Sequence, residues 1–143
     1  MTVKAILSAK GGEVVTIEPT TNLATAARVL AEQKIGALVV TGPDRRVVGI
    51  VSERDIVHEL AAHGAASLGL PLTDVMTREV MTCRLSDTIS SVMERMTAGK
   101  FRHLPVVEQG KLAGIVSIGD VVKHRLQDME HEQSAMRDYI QTA

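Results

Sequence analysis

Residues 49–57 read GIVSERDIV and residues 114–122 read GIVSIGDVV, 65 positions further on, with Gly, Ile, Val, Ser, Asp and the last Val in common. Each runs from an apolar strand pattern into Ser-x-x-Asp and back into apolar residues. Ser-x-x-Asp ahead of an apolar run is a capping box: side chain and backbone satisfy each other's free groups at a helix start. One such box is a structural device worth about 1 kcal/mol. Two, each with the same strand leading into it, indicate an internal repeat.

The likeness extends upstream. Residues 34–40 (KIGALVV) lie opposite residues 100–106 (KFRHLPV), now offset by 66. The extra residue is absorbed between apolar runs, in TGPDRR at 41–46 against EQGK at 108–111, and both compositions predict a hairpin turn. Leu23, Ala26, Ala27 and Leu30 fall on one face of a helix, as do Ile89, Val92, Met93 and Met96. Thr20 and Ser86 are the expected N-caps of these helices. Short apolar segments, VVTI at 14–17 and VMTC at 80–83, precede them as strands. Each repeat thus reads strand, helix, strand, turn, strand, helix. Such a unit is too small to bury its sheet alone, and two can pack sheet against sheet. Residues 63–71 (HGAASLGLP) form the linker, with a short helix expected over 72–76 and a matching one at Val3, Ile6 and Leu7. The expected organisation is a first repeat over 1–65, a second over 66–126 and a helical extension over 127–143.

From Ser117 the last pattern continues as one long helix. Val122, Met129 and Met136 recur every seven residues, Leu126 and Ile140 fill a second line, and Gln133 interrupts it. This near-heptad stripe fits either packing along the chain's own body or a seam with a partner helix.

Composition narrows the function. Of 143 residues, 45% are hydrophobic but only 1% aromatic, Phe101 and Tyr139, so the core is aliphatic. Net charge is −1 and no long basic run exists, which argues against a nucleic-acid surface. The one cysteine, Cys83, permits no intrachain disulfide and no Cys-x-x-Cys metal or redox motif. The amino terminus lacks a signal-peptide pattern and no apolar run reaches membrane-spanning length, so a cytoplasmic protein is the expectation. His58 and His63, and His124 and His131, miss the i, i+4 spacing of a helical zinc pair, and no metal is expected. Ser117, His103 and Asp120 contain the residue types of a hydrolase triad, yet no Gly-x-Ser-x-Gly elbow is present, so no catalytic residue is assigned.

Two units of strand–helix–strand–strand–helix, each ending Gly-h-h-Ser-x-x-Asp-h with h apolar, resemble a tandem pair of cystathionine-β-synthase (CBS) domains, a Bateman module. KIGALVV, KFRHLPVVEQGKLAGIVS and LTDVMTREVMTC (72–83) carry the resemblance, which covers roughly residues 3–126. It implies an α/β (α+β) fold of two motifs, each a small three-stranded mixed sheet with flanking helices, packed sheet to sheet with pseudo-two-fold symmetry. It also implies a non-catalytic sensor that binds adenosine compounds (AMP, ADP, ATP, NAD(H) or S-adenosylmethionine) between the motifs, forms a homodimer and acts on another protein. An NAD(H)-binding regulator and a dimerisation scaffold with degenerate sites are the alternatives.

Given such a ligand, the residues acquire roles. A ribose diol offers two O–H donors that suit a carboxylate, here Asp55 and Asp120. A helix N-terminus suits phosphate. Ser52 and Ser117 add hydroxyls there, Arg54 a cation, and Gly119 an open backbone. By resemblance Arg102 and His103 face phosphate, and Thr16, Val40, Thr82, Cys83 and Val106 line the adenine slot. Arg54 against Gly119, and Gly36-Ala37 against Arg102-His103, make two inequivalent sites the expectation.

Overall fold

The computed structural model describes residues 1–142. The first repeat comprises β1 (Thr16–Ile17), α2 (Leu23–Gln33), β2 (Ala37–Thr41), β3 (Val47–Ser52) and α3 (Glu53–His63), preceded by α1 (Val3–Lys10). The second comprises α4 (Ile89–Gly99), β4 (His103–Glu108), β5 (Lys111–Ser117) and α5 (Ile118–Thr142). Two 3₁₀ segments, Gly64–Gly69 and Leu72–Asp74, lie between them.

In the first sheet β1 pairs parallel with β2, and β2 antiparallel with β3. In the second, β4 and β5 pair antiparallel. The strand expected over 80–83 is a single parallel bridge, Cys83 to Val106. Side chains take the neighbouring backbone groups. Arg95 Nη1 donates to Thr82 O, while Asp87 Oδ2 and Glu108 Oε1 accept from the Arg84 and Leu85 N–H groups. Both hairpins bulge at the same place, at Val40/Thr41 and Val106/Val107. Gln109 and Gly110 both take positive φ, the backbone of the two-residue turns that match strand twist.

The helices start two residues later than their sequence predicts. Asn22 Oδ1 accepts from Thr25 N at 2.9 Å, and Thr88 Oγ1 from Ser91 N at 3.1 Å. Thr20 and Ser86 lie instead within turns closed by Thr21 N to Glu18 O and Asp87 N to Arg84 O, so the chain is still reversing there. Both helices end on a lysine in the left-handed region, Lys34 and Lys100, which stops the helix before the next strand.

The cores cross the sequence order. Val3, Ile6 and Leu7 of α1 pack with Ile89, Val92, Leu104 and Val116 of the second repeat. Leu72 and Met76 pack with Leu23, Leu38 and Val51 of the first. The glycine opening each Gly-Ile-Val-Ser segment explains the seat of these lead-in residues. A Cβ at Gly49 would lie 2.5 Å from Met76 Sδ, and one at Gly114 2.7 Å from Leu7 Cδ1. Each lead-in segment therefore covers the sheet of the other repeat, and the two halves clasp one another.

α5 lies on α4 and α1 through its first turns, where Val121 and His124 are buried. From residue 130 to 141 every residue is exposed. No helix among the described residues is long and apolar enough to cross a membrane.

Candidate functional site

Both Ser-x-x-Asp segments are capping boxes. Ser52 Oγ accepts from Asp55 N at 3.2 Å, and Asp55 Oδ2 accepts from Ser52 N at 2.8 Å and Ser52 Oγ at 3.0 Å. In the second box Asp120 N donates to Ser117 Oγ at 3.2 Å and Ser117 N donates to Asp120 Oδ2 at 2.9 Å. The boxes fix both carboxylates at the first turn of a helix that follows directly from a strand.

Their surroundings differ. Asp120 Oδ2 also accepts from Lys10 Nζ at 2.7 Å, and the same ammonium reaches Ile115 O at 3.0 Å. Burial alone would raise the Asp120 carboxyl; hydrogen bonds from Lys10 and Ser117, with the Lys10 charge, hold it below the usual range. Leu7 and Met76 pack on equivalent glycines, and Glu79, as far along the chain from Met76 as Lys10 is from Leu7, lines the cleft at the first box. One box has an internal cation against its carboxylate, and the other has an acid nearby.

A cleft of about 300 Å³ opens at the first box. Ser52, Arg54 and Asp55 enter it from the start of α3, and Lys100, Arg102 and His103 from the second repeat. Sequence reading divided Arg54 and the Arg102-His103 pair between two sites; the fold brings them into one. Ile50, Val80, Met81 and Phe101 give it an apolar wall. A Cβ on Gly36 would lie 3.3 Å from His103 Cε1 and 3.5 Å from Glu53 Oε1, so this glycine leaves room for the imidazole and the carboxylate, which line the cleft with it. Burial lowers the His103 pKa, helped by the Lys10 charge, while Asp120 and Glu53 oppose the shift.

The remaining candidates lie elsewhere. Val40 and Val106 are fully buried, one in each core, and Cys83 is buried beside Ile89 and Leu104. Burial pushes the Cys83 thiol up to about 12. Thr16 is exposed on β1, and Thr82 is half-buried with its carbonyl held by Arg95. None of these five lines the cleft, and neither do Ser117, Gly119 or Asp120. Sequence reading missed Phe101, Met81, Glu79 and Lys10. The signal for Lys10 and Glu79 was present in the 69-residue offset between Leu7 and Met76, which pairs them. Among the described residues no group of three or more His, Cys, Asp or Glu side chains is placed to hold a metal ion.

A second, more open hollow of about 460 Å³ lies between α2 and α3, lined by Leu30, Ile56 and Val57 among others. Only the first combines several cations, a helix-start carboxylate and an apolar wall, the convergence expected of a small-molecule site.

Comparison with known proteins bears on the fold and the family. The family model described as CBS domain matches residues 3–62 and 72–127. The crystal structure of the CBS-domain protein ATU1752 from Agrobacterium tumefaciens is 50% identical with a TM-score of 0.84, over 87% of this chain and 99% of that one. The structure of CBSX2 in complex with AMP is 31% identical, with a TM-score of 0.71 over 82% and 90% of the two chains. The CBS domain pair of MJ0100, in complex with 5′-methylthioadenosine and S-adenosyl-L-methionine, is 25% identical with a TM-score of 0.79, over 90% and 98%. Curated relatives are longer. The chain spans 58% of one that is 32% identical over 120 residues, and 66% of another that is 36% identical over 112.

Proposed function

Because the chain belongs to the CBS-domain family, whose paired repeats serve as ligand-binding regulatory modules, we propose that its cleft binds an adenosine-containing ligand, best a nucleoside monophosphate. The observation that carries this reading is the meeting of the Ser52–Asp55 helix start with cations and an apolar wall in one cleft. Asp55 accepts from the ribose hydroxyls. The base lies against Ile50, Val80, Met81 and the ring of Phe101. Arg54, Lys100 and Arg102 draw the phosphate, helped by the free N–H groups of α3. The related structures that hold AMP, or S-adenosylmethionine and methylthioadenosine, share the adenosine part, which is what this chemistry recognises.

The charge balance selects within that class. Arg54, Lys100 and Arg102 are offset by Glu53, Asp55 and Glu79. A lining this evenly balanced favours charge concentrated at one end of the ligand over a long polyphosphate. At the other box, a ligand must displace Lys10 from Asp120, so the Asp55 cleft is the stronger site.

The role is regulation without catalysis. The cleft is built from both repeats, so an occupant biases their relative arrangement by its differential affinity for the alternatives. Thermal-shift screening against AMP, ADP, ATP, NAD, NADH and S-adenosylmethionine tests the reading. AMP should raise the midpoint most, and Arg102→Ala should reduce that rise. No response to any of the six refutes it.

A further inference from the structure

We propose that His103 couples the two helix-start boxes: release of Lys10 from Asp120 puts a proton on the imidazole and so adds a cation to the cleft at Asp55. The coupling itself needs no ligand, and only its effect on binding rests on the adenosine reading above.

His103 belongs to both boxes. Its backbone opens β4 and pairs with Ser117, the cap of the second box. Its ring reaches the first repeat, where a Cβ on Gly36 would lie 3.3 Å from Cε1 and 3.6 Å from Nε2. Gly36 O in turn accepts from Glu53 N at 3.0 Å, at the start of α3. The corresponding residue of the first repeat is Ala37, paired with Ser52, so no second imidazole makes the return crossing.

The elements around the ring bring charges of both signs to it. Burial disfavours its protonated form most, and Lys10 on α1 and Arg102 ahead of β4 add to that; Asp120 at the start of α5 and Glu53 at the start of α3 favour it. Lys10 and Asp120 are joined at 2.7 Å, so their opposite charges largely cancel at the ring. When Lys10 leaves, Asp120 stays ionised near neutral pH and its charge is no longer offset. The release is local. Lys10 is the last residue of α1, Gly11 and Gly12 follow it, and its side chain is 34% exposed, so it can swing out while Val3, Ile6 and Leu7 stay in the core.

The cleft is where one proton counts. Arg54, Lys100 and Arg102 line it together with Glu53, Asp55 and Glu79, three charges of each sign. A protonated imidazole tips this balance and favours an anionic ligand. Neither Lys10 nor Asp120 lines the cleft, so the state of the second box reaches it through the ring. The linkage is reciprocal: an anion in the cleft that favours the protonated ring also loosens Lys10 from Asp120. The boxes then fill in order, the cleft first and the Asp120 box second, each aiding the other.

Histidine-ring NMR of the full chain from about pH 5 to 8, with His103→Gln to assign the signal, reads the coupling without any ligand. Lys10→Met should move the His103 midpoint upward. Lys10→Arg, which keeps the charge, should leave it in place, and the exposed His58, His63 and His131 should respond to neither. Calorimetry with AMP at about pH 6.5 reads the consequence. Lys10→Met should tighten the stronger binding event about threefold, and the same substitution on a His103→Gln background should not. A His103 midpoint that Lys10→Met leaves unmoved, or that Lys10→Arg moves as far, overturns the proposal. So does an equal gain in AMP affinity with and without His103. Failure of AMP to bind any of these proteins counts against the nucleotide reading instead, and the NMR result alone then decides the coupling.

Discussion

The clasp between the two halves can be measured at Gly114 and Leu7. A Cβ at residue 114 would lie 2.7 and 2.9 Å from the two Leu7 methyls, so Gly114→Ala cannot be accommodated without moving α1 or turning Leu7 out of its seat. Overpacking of this kind costs about 1–3 kcal/mol. The strand gains back roughly 0.5–1 kcal/mol, since alanine loses less backbone freedom on folding than glycine. A net loss of up to about 2.5 kcal/mol follows, which lowers the melting midpoint of a chain this size by up to roughly 10 °C. Leu7→Ala alone opens a cavity in the second core and costs about 2–5 kcal/mol. In the double variant the new methyl occupies part of that cavity. The double should therefore be more stable than the sum of the singles by at least about 1 kcal/mol. Urea unfolding of the four proteins, read by circular dichroism with a common m-value, gives the cycle. Additivity within about 0.3 kcal/mol would show that α1 does not sit on this strand, and the crossed cores would have to be abandoned.

Other consequences are quicker to check. Lys10→Met should bring the Asp120 carboxyl back up toward its ordinary range, as read by side-chain carbonyl NMR. The Asp120 pKa is depressed in the folded state, so its contribution is present above the unfolded value near pH 4 and lost as pH falls through the folded value; Lys10→Met should flatten that acid limb. The same substitution should strengthen nucleotide binding at the Asp120 box, seen as a second calorimetric event. His103 is depressed by burial, so the unfolded chain takes up its proton first; stability should fall as pH drops through about 6.5 toward the folded value, and His103→Gln should remove that fall. Cys83 should react with a disulfide reagent only on unfolding, since the thiol is 2% exposed and its pKa stands at about 12; rapid labelling of native protein would contradict its place in the core.

Much of the architecture was legible because repeats constrain one another. GIVSERDIV and GIVSIGDVV aligned the strand and helix start of both halves, and the apolar spacing of Leu23, Ala26 and Leu30 recurs in Ile89, Val92 and Met96. What escaped was whatever depends on contacts between halves. Nothing local to Val3, Ile6 and Leu7 says that they cover the second sheet; the packing of the folded chain and the glycines at 49 and 114, set against Met76 and Leu7, reveal it. The cap positions failed for a local reason. Thr20 and Ser86 are good capping residues, but Glu18 and Arg84 carbonyls tie the chain into turns first. In the site, residue types were legible and their grouping was not. Ser52, Arg54, Asp55, Arg102 and His103 were singled out as two sets, and the fold merges them into one cleft. The apolar wall was expected from buried strand valines, whereas Phe101 and Met81 line it from segments with no regular periodicity.

Calorimetric titration of AMP into wild type, Asp55→Asn and Asp120→Asn bears most directly on the central claim, that one nucleotide sits in the cleft at the Ser52–Asp55 helix start. The carboxylate-to-amide change keeps the size of the side chain while removing the charge that accepts from the ribose. Wild type should bind one strong equivalent per chain. Asp55→Asn should weaken that event by about tenfold or more, as loss of a charged hydrogen-bond partner does, and Asp120→Asn should leave it within about twofold. Equal weakening by both substitutions, or none by Asp55→Asn, would contradict the account.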